Sequence, residues 1–599
     1  TNGFRLQFDQ VGVGTASTST IGADTSGNTH HFTSSGIVAS DCAMPDSPEN
    51  NFATIDPLSS GAGVFSEGNL KYVSTADTGN TTFGISSGKA YAEVYVSSVS
   101  NSFIGVLDIS NGLSPTRGGN FGTHGAIAYK QDGDQYSLPI GGSSATASYG
   151  ASYSNGDIIG IALNVDDDTI TFYKNGSSQS ATTNGVSHIS SNGVYGILLY
   201  ASGTNFICNF GQDPSFAVSL TGGDIGTETP SSGAGVFKYA PPSGFLALCT
   251  ANLEEPTIGP NSATQADDYF NTVLYTGNGT GQSITGVGFQ PDWVWAKERS
   301  SGSSHQWYDS SRGVTNRLES DNTGDEDVID GVTSFDTDGF TIGTHSAIND
   351  NGITNVAWNW KANGGTTSSN TDGSITSTVQ ANTTAGFSIV TYTGTGANAT
   401  VGHGVQVNNV ATAPRMIIMK RRDSDQNWVV YHEEIGNDRE LLLNVGNQQT
   451  NSSSTFFQNT SPTTSVFSLG SDNYANASSG TYVAYCFADV EGYSKIGKYN
   501  PNNTTDSAFV HTGFKPAMVI LKGAEINNQE WCILDNKRPS YNPVYNLNPN
   551  EPAIETTSNY VDFVSNGFKI RATGGVGYLT STYIYIAFAE VPFKYAVGG

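Results

Sequence analysis

Basic residues are scarce in this chain. The 26 Lys and Arg face 53 Asp and Glu, giving a net charge of −27 and a pI near 4.5. Such a surface repels phosphate backbones and anionic headgroups, so nucleic acid and membrane partners are not expected. The acidic side chains are scattered rather than blocked, and a solvated surface accounts for them. Cysteine is also sparse. Cys42, Cys208, Cys249, Cys486 and Cys532 are odd in number and far apart. This spacing excludes a CxxC metal or redox motif, argues against a disulfide framework and suits folding in a reducing cytoplasm. No apolar run reaches the roughly 18 residues of a membrane helix, and no secretory signal is visible. The chain opens at Thr1 in mid-phrase, so an upstream segment is expected. Long runs of helix formers are missing as well.

Turn formers and aromatics are plentiful. Gly counts 71 and aromatics 11%, a balance suited to short strands, tight turns and real cores. The fold class expected is all-β, with several antiparallel β-sandwiches. Residues 1–70 are turn-rich and expected to pack on the domain that follows, 71–217. There "KAYAEVYVSS" alternates, with Tyr91, Glu93 and Tyr95 on one face. "GDIIGIALNVDDDTITFYKNG" reads as a hairpin, with Ile159, Ile161, Leu163 and Val165 on one face and Asp166–Asp168 at the turn.

These phrases carry a resemblance. Gly156–Gly160, Phe172–Gly176 and the later "NFGQDPSF", Asn209–Phe216, resemble in order the motifs of the SPRY (B30.2-type) domain. The resemblance implies a bent antiparallel sandwich that binds partners through loops and is not an enzyme. Residues 218–265 are Gly/Ser/Thr- and Pro-rich and read as a linker. Within them, "PPSGFLALCTANLEEPTI" resembles a junction in large proteins of marine tailed phages. The opening "NGFRLQFD…IGADTSGNTHHFT" is similar to the same proteins. That resemblance implies a virion surface protein of the fibre type, made in the host cytoplasm and self-associating as a homotrimer.

The remainder repeats itself. Pro291, Pro414 and Pro516 each precede a lysine by six residues (Lys297, Lys420, Lys522), then a tryptophan (Trp307, Trp428, Trp531), then an aromatic-ended strand. Constant internal spacing marks one module used three times: 266–364, 385–500 and 501–599. "YFNTVLYTGNG" and "GFSIVTYTGTG" open the first two, with "SAFVHTGF" as a shortened counterpart in the third. In "PDWVWAK", "PRMIIMK" and "PAMVILK" both faces are apolar, so this strand is expected to be buried on both sides. Three look-alike globules strung in a row are expected.

Few candidate sites emerge. Trp307, Trp428 and Trp531 hold equivalent places, which favours core roles over sugar stacking. Tyr308 is a better candidate for ligand contact. The acidic turns "DGD" (Asp132–Asp134), "DNTGDEDVID" and "DSD" lack EF-hand spacing and read as solvated turns. Asp132, Asp134, Tyr136 and Tyr308 remain the ligand-binding candidates. No HExxH, GxSxG or P-loop occurs, and neither a catalytic residue, a metal nor a cofactor is expected. The function expected is adhesion of a tail fibre or head/tail appendage to host-surface glycan, alongside other virion proteins. The alternatives are an architectural capsid-decoration or tail component without ligand, and a polysaccharide depolymerase.

Overall fold

A computed structural model describes residues 3–7, 10, 12–37, 50–59, 63–110, 125–140, 142–190, 193–539, 541–557, 559–578 and 581–595. Cys42 and parts of the turn-rich opening lie outside them. The protein is all-β, 41% strand and 6% helix, in several antiparallel sheets. It divides into two compact units, the first ending at Leu253 and the second taking up at Glu254.

The first unit is organised by one long strand, Tyr195–Asn209. Different parts of it pair with Phe103–Asp108, Lys71–Asn80 and Lys89–Ser98. The expected hairpin forms: Ile158–Asn164 pairs with Thr169–Lys174, closing at Asn164 opposite Thr169. Each aspartate of its turn has a separate task. Asp166 accepts the Gly88 N–H (2.7 Å), Asp167 pairs with Lys89 (3.2 Å), and Asp168 turns toward Ser187.

Residues 218–253, expected within a linker, instead fold back on this unit. Leu246–Ala247 pairs with Ala90 and Tyr91, and Phe237, Ala247 and Cys249 are buried against Phe52 and Tyr91. Gly211 explains part of the Asn-Phe-Gly-Gln phrase: it has φ +117°, and a Cβ there would approach Ala247 Cβ to 2.7 Å. The four described cysteines are buried.

In the second unit the three modules share one topology. Each main sheet runs in the order opening strand, closing strand, central strand, second strand. In the first module these are Phe270–Thr276, Thr354–Trp360, Trp293–Glu298 and Gln306–Asp309. In the second they are Phe387–Thr393, Thr481–Phe487, Met416–Arg421 and Val429–His432. In the third they are Ser494–Tyr499, Tyr583–Pro592, Phe514–Gly523 and Cys532–Asp535. The third opening strand is therefore "SKIGKY". "SAFVHTGF" supplies Phe509–His511, the counterpart of Gln282–Thr285 in the smaller sheet that covers the first module. The third module starts before residue 501. Residues 365–384 add strands Ser368–Asn370 and Ser377–Asn382 to the second sheet.

The modules are not separate globules. Val294 and Ala296 face their own module's small sheet, with Phe340 and Ile342. Trp293 and Trp295 face the other way, into one apolar cluster drawn from all three modules. Met416 and Ile418 of the second module and Met518 and Ile520 of the third meet them there. All seven tryptophans are buried to under 2% exposure. The five in the first module are matched by smaller residues at equivalent places: Trp293 by Met416 and Met518, Trp295 by Ile418 and Ile520, Trp307 by Val430 and Ile533. At each of these three places one indole meets two smaller side chains, as close packing requires.

Backbone contacts around this core are cyclic. Glu326 N donates to Arg422 O (2.8 Å), Gln449 N to Ala524 O (2.7 Å) and Glu555 N to Arg299 O (2.9 Å), joining first to second, second to third and third to first. The three lysines seal the loops. Lys297, Lys420 and Lys522 are buried, with Nζ donating only to carbonyl oxygens among its described hydrogen bonds. Lys420 reaches Thr323 O (2.9 Å) and Lys522 reaches Gly446 O (3.4 Å) in the preceding module. Burial pulls each down to about 8.

Trp293→Ala is expected to cost about 3–5 kcal/mol and to lower the denaturation midpoint of all three modules in a single transition. Leu274→Ala, on an exposed side chain, should change it by less than about 0.5 kcal/mol. Tryptophan fluorescence against guanidinium checks this selectively, since every tryptophan lies in the second unit. Separate transitions for separate modules would contradict the shared core.

Candidate functional site

One concavity among the described residues lies in the first unit. It has a volume of about 330 Å³ and is lined by Val165, Asp168, Val186, Ser187, Ser190 and Tyr195, with Ser86 and Gly193 at its margin. The hairpin turn presents Asp168 at φ +53°, a left-handed conformation that aspartate tolerates. Its carboxylate accepts the Ser187 N–H (2.7 Å) and the Ser187 hydroxyl. Ser187 sits in the 3-10 turn Val186–His188. Tyr195 enters from the long strand, donating from its hydroxyl to Ser190 O (2.8 Å) and accepting from Gly193 N (3.3 Å). Burial raises the Tyr195 phenol, so it stays neutral. The lining thus combines hydroxyls and a carboxylate with the apolar side chains of Val165 and Val186. Such a mix suits a polar ligand with one apolar face.

The sequence candidates fall elsewhere. Asp132, Asp134 and Tyr136 come together on the hairpin of Ala126–Lys130 and Asp134–Leu138. Asp132 is paired with Lys130 (2.7 Å), which holds its carboxyl below the usual range, and it caps the Asp134 N–H (3.1 Å). Tyr136 is half-buried, its ring edge-on to Phe103 at 5.5 Å. Tyr308 is in another unit and fully buried, opposite Val294, so it offers no surface to a ligand. The acidic stretch 321–330 supplies counter-ions: Glu326 binds Arg312 and Arg422, and Asp327 binds Arg317. Among the described residues no three His, Cys, Asp or Glu side chains cluster as metal ligands. No helix there is long and apolar enough to cross a membrane.

One alignment changes. Trp428 and Trp531 immediately precede their second strands, donating from Nε1 to Glu319 O (2.9 Å) and Leu442 O (3.0 Å) of the preceding module. The residue at that place in the first module is His305, not Trp307. Its N–H donates to Asp321 Oδ1 (3.0 Å), as those of Trp428 and Trp531 do to Asn444 and Asn550. Counting from the lysine reveals it: His305 is eight residues after Lys297, as Trp428 is eight after Lys420.

A second polar site holds the returning segment of the first unit. Glu93 is fully buried and accepts the N–H groups of Lys238 and Tyr239, both at 2.8 Å. Tyr91 and Asn209 donate more weakly at 3.3 and 3.4 Å. Burial dominates and pushes the carboxyl up to about 7. A folded value above the unfolded one gives stability that is complete in acid and lost as pH rises toward 7. The first unit should lose about 2–4 kcal/mol between pH 4.5 and 7.5 through this group. Glu93→Gln should flatten that slope in calorimetry of the full chain, and an unchanged slope would contradict the assignment.

Comparisons with known proteins follow this division. The SPRY domain family matches residues 75–213. Among solved structures, the SPRY domain of human HERC1 is 19% identical, covering 26% of this chain and 96% of its own, with a TM-score of 0.21. The TRIM65 PSpry domain is 14% identical (26% and 89%, TM-score 0.21). The carbohydrate-binding module CBM66 from Bacillus subtilis is 8% identical (26% and 92%, TM-score 0.20). No protein with a curated description matches. Most of the second unit corresponds to one family: "Domain of unknown function (DUF7483)" matches residues 265–592, more than half of the sequence, and the chain belongs to that family.

Proposed function

We propose that this is a structural protein of a virus particle surface, a phage tail fibre or head/tail appendage, that adheres to host-surface glycan through its SPRY unit. The observation that carries the reading is the cavity beside Asp168. Its hydroxyls and carboxylate suit the hydroxyl pattern of a sugar, and Val165 and Val186 suit the apolar face of the ring. The activity proposed is binding, not catalysis. Each site would bind weakly and act by copy number. The second unit serves as a rigid body, its aromatic residues turned inward. Homotrimerisation and contacts with other virion proteins belong to the same proposal, as does synthesis in the host cytoplasm. The placement on a virion rests on the likeness of the junction and opening phrases to phage proteins.

The purely architectural alternative has its own support, because the second unit commits all seven tryptophans to packing. A glycan array with the full chain separates the two. Retention of a defined glycan is expected, falling at least tenfold in Asp168→Asn and Ser190→Ala and unchanged in Asp132→Asn. No retention would leave architecture, loss of polymer viscosity would reveal a depolymerase, and absence from purified particles would remove the virion assignment.

A further inference from the structure

The third module touches each of the others through a histidine. His432 ends the second strand of module two, and its Nε2 faces Tyr585 O of module three at 3.2 Å. His305, in module one, lies beside the backbone of Asn548 of module three, with Nε2 completing no hydrogen bond there. Both rings are fully buried. In both, Nδ1 is occupied by a donor. Trp295 Nε1–H donates to His305 Nδ1 (2.9 Å), and the Glu434 N–H donates to His432 Nδ1 (3.2 Å). An indole or amide nitrogen cannot accept in return, so each ring must carry its proton on Nε2, pointed at module three. A second proton would have to sit on Nδ1, against an N–H. Among the described residues, no histidine bonds across the contact between modules one and two. It uses Tyr485 OH on Asp309 (2.6 Å), Trp428 on Glu319 O, and the Glu326–Arg422 pair.

We propose that the third module is docked through two histidines, His305 and His432, that serve only uncharged, and that mild acid undocks it by charging them. The charged groups around each ring bear on the same point. Lys297 and Arg538 face His305 and oppose a positive charge, and no carboxylate contributes in its favour. The Asp321 side chain is engaged with the His305 backbone. Around His432, Glu434 and Asp489 favour the charged form and Arg415 opposes it. Those carboxylates are already matched by Arg415, Lys495 and Lys498. Burial holds His305 well below its ordinary value and His432 at about 4. Depressed values mean that the docked state is favoured above pH 6.5 and loses ground as pH falls. If undocking exposes both rings, each favours the open state by about tenfold per pH unit below 6.5, or about 10⁴-fold together at pH 4.5. Glu434 and Asp489 are held below the usual carboxylate range and stay ionised in this window. His403 and His511 are buried within single modules, so their charging acts on unfolding of a module rather than on docking.

Three equivalent amides supply the test: Glu555 N and Gln449 N cross the contacts of module three, and Glu326 N crosses the contact between modules one and two. Their hydrogen exchange is measured on the full chain at pH 7.5 and 4.5, corrected for intrinsic rates. Protection of Glu555 and Gln449 is expected to fall at least 100-fold, while that of Glu326 stays within about threefold. Equal loss at all three amides, or no loss at any, would overturn the proposal. His305→Gln should lessen the fall at Glu555 and Gln449 together, to about 100-fold at most, and His305→Gln with His432→Gln should abolish it. Persistence of the fall in the double variant would also overturn it. If the double variant does not fold, the wild-type comparison and the single variant decide.

Discussion

Every main sheet of the second unit has two apolar faces, and a small covering sheet can dry only one of them. Val294, Ala296 and their neighbours are closed off within the module. Trp293, Trp295 and Trp358 on the reverse are not, and left bare they would expose a large aromatic patch to water. Three modules resolve this by turning their reverse faces inward on one another. The hydrophobic term thus dictates both the fold of each module and the need for all three. It also dictates the uneven use of tryptophan, because identical large rings at equivalent places would overfill a common centre.

What the core imposes on shape, the rims impose on specificity. The backbone bonds between modules are the same three times, and side chains distinguish one contact from the next. Tyr485 of module two meets Asp309 of module one, and Trp358 of module one meets Asp535 of module three at 2.9 Å. Where module three offers Ile586 at the corresponding place, no side-chain donor exists, and His432 takes the neighbouring carbonyl of Tyr585 instead. Asp309 and Asp535 are each buried with an arginine three residues on, Arg312 and Arg538, so neither carboxylate is left uncompensated. A partner of the wrong kind at any contact would bury an unmatched charge, which fixes the order of the modules more firmly than apolar packing alone.

Much of this was legible from residue order. Period-two alternation located the hairpin of the first unit and the central strands of the second, because a strand buried on both faces has no polar residue to spare. Proline-to-lysine spacing identified the modules. What escaped was anything set by contacts distant in the chain. The reverse faces looked like the interior of single sandwiches, since a sequence states that a face is apolar but not what covers it. Trp307 was matched to Trp428 by residue type, whereas register puts His305 there. The Gly- and Pro-rich stretch after Phe216 read as a free linker, yet Glu93, far upstream, fixes it by two N–H bonds. The cavity at Asp168 had only a weak trace: an acidic turn and a Ser-rich phrase whose proximity the chain order does not express.

The two units divide their chemistry accordingly. In the second, the indole rings pack into the shared core and the buried arginines are paired with carboxylates, so little of either faces a ligand. In the first, the long strand Tyr195–Asn209 fixes one wall of a cavity whose other wall is the turn at Asp168 and the short helix at Ser187. That wall is a turn and a short 3-10 segment anchored through Val186 and Ile189, while the polar side chains between them line the cavity. The proposed recognition is therefore assigned to the unit without tryptophan. The unit rich in it supplies rigidity, because a core shared by three modules gives none of them freedom to move alone while its contacts stay closed.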